Sequence, residues 1–194
     1  MRLLLNIKVI ILFFLFASSF VSAQETDTIK YWSKANKLKI ADFKSNTINN
    51  PKMSASSNLS LRYFLSEEFD SIFYIKPAFN KYKSYFIGKE GKSEWLLNHE
   101  QLHFDILEVF ARKFRREIFL NYYNNGKYLD DDTLYSIYLT IYKGYIQMSA
   151  DYDKETNHSR NKLKQEKWNI KVAKELKDLS SYSHENYIKL YEDD

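Results

Sequence analysis

The sequence predicts an α+β fold, with a small N-terminal β-sheet and three helices after it. Two observations carry this. Before residue 90, apolar and polar residues alternate in short runs, as on half-buried strands. After residue 92, apolar residues recur at three- and four-residue steps over long stretches, as on amphipathic helices. Strands first and helices later argue for α+β over a parallel α/β sheet.

Residues 1–23 read as a secretory signal peptide outside the fold. Arg2 and Lys8 give a positive start, Val9 to Phe16 is almost wholly apolar, and Val21-Ser22-Ala23 fits a small-residue cleavage site. The apolar run is short for a membrane span, so cleavage before Gln24 is expected, and with it export to the periplasm or the exterior. No cysteine follows the run, which excludes a lipid-anchored lipoprotein. Residues 24–194 are then one domain, long enough for a core.

Within it, 24–30 is polar and expected to fray. Trp32–Phe43 holds scattered apolar anchors that lead toward the first strand, and 45–51 is a loop by composition. Asn58–Leu65 sets Leu59, Leu61, Tyr63 and Leu65 on one side, with Ser60, Arg62 and Phe64 on the other. Asp70–Lys76 reads as a second strand, whose continuation in a central position Pro77 limits. Lys81–Ile87 alternates as a third, and Gly88 and Gly91 mark the turn after it.

Ser93 is placed to cap the first helix, which runs to Tyr122 or Tyr123 with Leu96, His99, His103, Leu107, Phe110 and Phe114 on one stripe. Asn124, Asn125 and Gly126 end it. Asp130–Asp132 starts a second helix, Leu134 to Ala150, along which Tyr135, Tyr138, Tyr142 and Tyr145 form a stripe, expected mostly to pack. A third runs from Ser159 to Leu179 with Trp168, Val172, Leu176 and Leu179 inward, and a polar tail containing His184 follows.

Composition narrows the function. Net charge is +4, and removing Arg2 and Lys8 leaves +2, which does not suggest nucleic acid. There is no cysteine, so packing or a metal must supply stability. No segment after the leader is long and apolar enough to span a membrane, and the oligomeric state is not legible.

The sharpest signal is His99-Glu100-Gln101-Leu102-His103, an HExxH pentapeptide inside the first helix. Residues four apart share a helix face, so both imidazoles can reach one Zn²⁺, and Glu100 beside them can take a proton from a water at the ion. The competing explanation is two packed histidines on an amphipathic helix. Catalytic zinc usually has three protein ligands. Asp105 points about 200° away from His103 on the helix, Glu108 is nearly opposite His99, and Glu117 is about 21 Å along the rod. The third ligand must therefore come from elsewhere: His158 in the junction between the later helices, or a carboxylate among Asp151, Asp153 and Glu155, which could also orient an imidazole from outside.

The HEQLHFDI run and the later YDKETNHSRNKLKQEKW segment, Tyr152 to Trp168, resemble a family of secreted bacterial proteins called domain of unknown function 922, described as predicted zinc-dependent proteases. Tyr152, Asp153, Thr156, His158, Gln165 and Trp168 match the family's later segment, and 37–43 is similar to its early L-x-W-x-D-F element, with Ile40 in place of tryptophan. Lys83-Ser84-Tyr85 stands where Lys-Ser-Trp is usual. The resemblance spans roughly residues 32 to 170. Ser159 departs from it, replacing the glycine that follows the histidine, so a turn that needs glycine must differ here.

The resemblance implies a zincin-like metallopeptidase. His99, His103 and His158 would hold zinc, and Glu100 would be general base toward a peptide or protein substrate. Tyr145 or Tyr152 would stabilise the oxyanion, with Tyr152 and Asp153 also candidates around the ligands. An exposed edge at Lys81–Ile87 would accept the substrate as an added strand. The alternatives are a non-catalytic envelope binding module with a structural or vestigial zinc, and a metal-free partner-binding protein.

Overall fold

The structure, a computed structural model, describes residues 27–50, 52–65, 73–87, 93–125 and 129–187. The leader expected at 1–23, the start of the strand expected from Asp70, and the turn glycines 88, 91 and 126 lie outside them. The architecture is α+β, with strands β1 (Ile29–Tyr31), β2 (Ala55–Ser56), β3 (Leu59–Leu65), β4 (Phe73–Asn80) and β5 (Tyr85–Phe86) ahead of helices α1 (Ser93–Asn125), α2 (Asp131–Thr156) and α3 (Lys162–Asp178).

One antiparallel sheet has the order β1-β4-β3, and β2 pairs with β5 in a second. β3 falls where alternation placed it, with Leu61 buried and Arg62 and Phe64 exposed. β4 differs from expectation: it is the central strand and runs straight through Pro77. The register explains the tolerance. In an antiparallel strand the N–H and C=O of one residue face the same neighbour. The Pro77 carbonyl accepts from Trp32 N–H at 3.0 Å, just past the end of β1. The missing donor therefore faces the side where β1 stops, and the β3 ladder loses nothing.

Ile29 and Lys30, expected to fray, are instead buried in β1. Lys30 has its ammonium 2.9 Å from Asp42 and 3.1 Å from Asn36 Oδ1. Asp42 closes a one-turn 3₁₀ segment, Ile40–Asp42, by also accepting from Lys39 N–H at 2.8 Å. The first strand thus precedes the Trp32–Phe43 stretch. The strand expected at Lys81–Ile87 is reduced to β5. Asn80 Oδ1 accepts from Tyr82 and Lys83 N–H, which bends 81–83 into a 3₁₀ turn.

α1 is the axis of the molecule and packs against β3, β4, α2 and α3. Ile106, Leu107, Phe110 and Phe114 enter one core with Leu61, Ile75, Leu134, Tyr145, Tyr152, Trp168 and Val172. Arg115, 1% exposed, donates to the Ile75 and Tyr182 carbonyls and to Glu108, tying sheet, helix and C-terminal segment together. α2 is longer than expected. It continues to Thr156 and ends on Asn157 at φ 49°, with Asn157 N–H on the Asp153 and Lys154 carbonyls. α3 begins at Lys162, capped by the Asn161 side chain. The tail also corrects the sequence reading: His184 packs 5.3 Å from the Tyr74 ring, and Tyr187 is fully buried.

Candidate metal centre

The helical spacing does what geometry requires. His99 and His103 emerge from one face of α1, their ring centroids 4.9 Å apart. α2 crosses this face with its last two turns. Ser149 and Asp153 are four residues apart, so both look toward α1. Asp153 Oδ1 lies 3.1 Å from His99 Nε2 and 3.1 Å from His103 Nε2. Ligand atoms of His99, His103 and Asp153 all fall within 4.8 Å of one another, a group that could hold a metal ion.

The outward nitrogens are occupied too. His99 Nδ1 meets Gln165 Oε1 at 3.2 Å, and His103 Nδ1 meets Ser149 Oγ at 2.8 Å. Both inner nitrogens are thereby left facing one point. The His99 and His103 side chains are 3% and 12% exposed and Asp153 is 26% exposed, so the group opens to solvent on the α2 side. Burial on its own would raise the Asp153 carboxyl, but hydrogen bonds and charge from His103 and His99 outweigh it and hold the group well below the usual carboxylate range. Burial likewise depresses His103, while the hydrogen bond and charge of Asp153, helped by Glu100, win and raise it.

Glu100 is buried, and its Oε2 accepts from Ser57 Oγ at 2.5 Å, from the short link between β2 and β3. Tyr152 is fully buried under the pair, stacked on His99 at 4.6 Å and edge-on to His103 at 4.8 Å. Its hydroxyl is turned to the His99 carbonyl at 3.4 Å. Burial, then the Glu100 and Asp153 charges, raise its phenol pKa. Tyr145 is buried beside Ser149, and burial raises its phenol as well. Tyr152 therefore packs against both histidine rings, while Tyr145 reaches the Ser149 that meets His103.

His158 stands at the open side. Its Nδ1 is 3.5 Å from Asp153 Oδ1, with the side chain 55% exposed. It lies in a turn where Asn157, His158 and Ser159 all have positive φ, pinned by Trp95 Nε1 donating to the Ser159 carbonyl at 2.7 Å. The carboxylates set aside on α1 are engaged elsewhere. Asp105 accepts from Trp32 and Lys37, Glu108 from Arg112 and Arg115, and Glu117 from Arg116. Asp151 accepts from Gln147, and Glu155 from Trp168.

Ser57, Ser149 and Gln165 were not singled out as site residues. Gln165 had a signal: a polar residue at helical spacing with Trp168 and Val172, on a stripe that faces the core. Ser149 shares the face of Asp153. Ser57 reaches Glu100 across 43 residues and leaves no local pattern.

No family model, curated protein or solved structure matches this chain.

Proposed function

We propose that the protein is a zinc-dependent hydrolase of peptide bonds, acting outside the cytoplasm. The convergence of both HExxH imidazoles on Asp153, with Glu100 buried alongside, carries the reading. The donor set fits zinc: two imidazole nitrogens and one carboxylate oxygen are common catalytic ligands, and the outward nitrogens are already hydrogen-bonded. His99, His103 and Asp153 would hold the ion. His158, the third ligand expected from sequence, is the next donor at the open side, 3.5 Å from Asp153 Oδ1, while the atoms that converge within 4.8 Å of one another are those of His99, His103 and Asp153. The resemblance of HEQLHF and YDKETNH to the secreted family adds to the same reading.

When bound, zinc supplies Lewis acidity, bringing the pKa of a water toward neutrality and polarising a carbonyl. The chain's own residues do the rest. Glu100 takes a proton on its carboxylate and returns it to the leaving amine, while Ser57 fixes the carboxylate orientation. Tyr152 and Trp168 exclude water from behind.

The test is zinc content and cleavage of a denatured protein by residues 24–194 and three variants. Glu100→Gln is expected to keep about one zinc per chain and lose at least about a hundredfold in rate. Asp153→Ala is expected to lose more zinc than His158→Ala, and the opposite order would return the third position to His158. Normal turnover in Glu100→Gln would remove the mechanism, and zinc binding without turnover in the wild type would leave a binding module.

A further inference from the structure

An amide side chain accepts at one end and donates at the other, so fixed neighbours decide which way it faces. Gln165, on α3, is fully buried. Its Nε2 is 3.3 Å from the Trp95 main-chain carbonyl and 3.0 Å from Asn98 Oδ1, and its Oε1 is 3.2 Å from His99 Nδ1. The Trp95 carbonyl can only accept, and helix α1 holds it in place. A flipped Gln165 would set oxygen against oxygen there. The amide is therefore locked with Oε1 on the imidazole.

An acceptor at Nδ1 requires N–H on Nδ1. A neutral ring protonated at Nδ1 carries its lone pair on Nε2. Nε2 is the nitrogen that meets Asp153 Oδ1 beside His103; facing that acceptor without a metal it is a donor, and a bound metal ion would take the place of its proton. We propose that Gln165 is a positioning residue that locks His99 in the tautomer a metal ion needs. The inference rests on the metal reading above and adds the helix that enforces it.

A second observation supports the direction of control. Asn169 Nδ2 donates to Asn98 Oδ1 at 3.2 Å, leaving Asn169 Oδ1 buried without a partner among the described residues. Turning both asparagines over would give that oxygen a donor. It would also set Asn98 Nδ2 against Gln165 Nε2. The mismatch falls on Asn169, at the outer end of the series, because Gln165 dictates the orientation from the buried end.

The experiment uses the residues 24–194 protein with ¹⁵N-labelled histidine, and Gln165→Met, which keeps the shape and removes the acceptor. Gln165→Leu serves if the methionine variant does not fold. Zinc affinity is read by chelator competition, and the protonated and metal-bound nitrogens of His99 by NMR of the zinc form. The expected result is Nδ1–H with Nε2 on the metal in the wild type, and zinc binding weakened 10- to 100-fold in the variant. The metal-free variant should melt several degrees lower, because buried groups of α1 lose a partner, so affinities are compared where both proteins are folded. A variant that binds zinc within twofold of wild type would overturn the role, as would metal on Nδ1 of His99. Failure of the wild type to bind zinc at all would sink the metal reading first and this inference with it.

Discussion

Ser159 follows Asn157 and His158 in three successive left-handed residues, at φ 49°, 49° and 70°. Asparagine tolerates this region, whereas serine there costs about 1–2 kcal/mol relative to glycine. The turn is nevertheless kept, because the Trp95 indole grips the Ser159 carbonyl and Asn161 N–H closes on the Thr156 carbonyl at 2.7 Å. The serine holds this turn in a left-handed conformation under strain. Glycine would relieve that strain and add unfolded-state entropy of about 0.4–1 kcal/mol. Ser159→Gly is therefore expected to stabilise by about 0.5–1 kcal/mol in urea unfolding, and a destabilised variant would show the turn is not strained there. His184 is a second test at this scale. Burial, then the charges of Lys76 and Arg115, pull its imidazole down to about 3. Unfolded histidine titrates near 6.5, so the unfolded chain takes up this proton first as pH falls. Its contribution is complete above about 6.5 and is lost as pH falls toward 3. Between pH 7 and 4.5 the wild type should lose about 2 kcal/mol more than His184→Gln. Equal losses would mean that the ring is protonated in the folded protein.

At the scale of elements, α1 and α2 approach through Gly144. A Cβ there would sit 2.7 Å from Phe110 Cε1, inside contact distance of a core ring. Gly144→Ala gains about 1 kcal/mol of helix propensity but overpacks at about 1–3 kcal/mol, so a net loss of about 1 kcal/mol is expected. In a Phe110→Leu background the loss should shrink, and an unchanged loss would place the clash elsewhere. The same elements show what was legible. β3 and the helices were readable because period-2 and period-3.6 patterns repeat over seven or more residues. β1 was not, since three residues carry no period and its hydrogen bonds come from β4, about 50 residues away. Pro77 misled because the rule against proline in central strands assumes a neighbour at that point, and β1 has ended there. His99, Glu100 and His103 were legible because helix geometry brings them together locally. Asp153 was weighed for the third position, but its placement depends on α2 running six residues past Ala150 to the left-handed Asn157, a cap that asparagine signals less strongly than glycine.

For the whole molecule, the group of His99, His103 and Asp153, which could hold a metal ion, joins distant parts of the chain without a covalent link. His99 and His103 belong to α1, Asp153 to α2 some 50 residues on, and Gln165 behind them to α3. There is no cysteine, so no disulfide shares that task. An ion that binds only the folded chain adds RT ln(1 + [L]/Kd), about 2.7 kcal/mol at a hundredfold excess over Kd. In a chain of this length, 1 kcal/mol moves the melting temperature by roughly 2–4 °C, so zinc should raise it by roughly 5–10 °C and chelator should reverse the shift. Among the described residues no helix is long and apolar enough to cross a membrane. The His99→Ala/His103→Ala double variant should show no response to zinc. Two simple packing histidines would give the other pattern: a wild-type melting curve unmoved by zinc, and a double variant destabilised to the same extent with or without it. That pattern would make Asp153 a hydrogen-bond partner of two core imidazoles and nothing more.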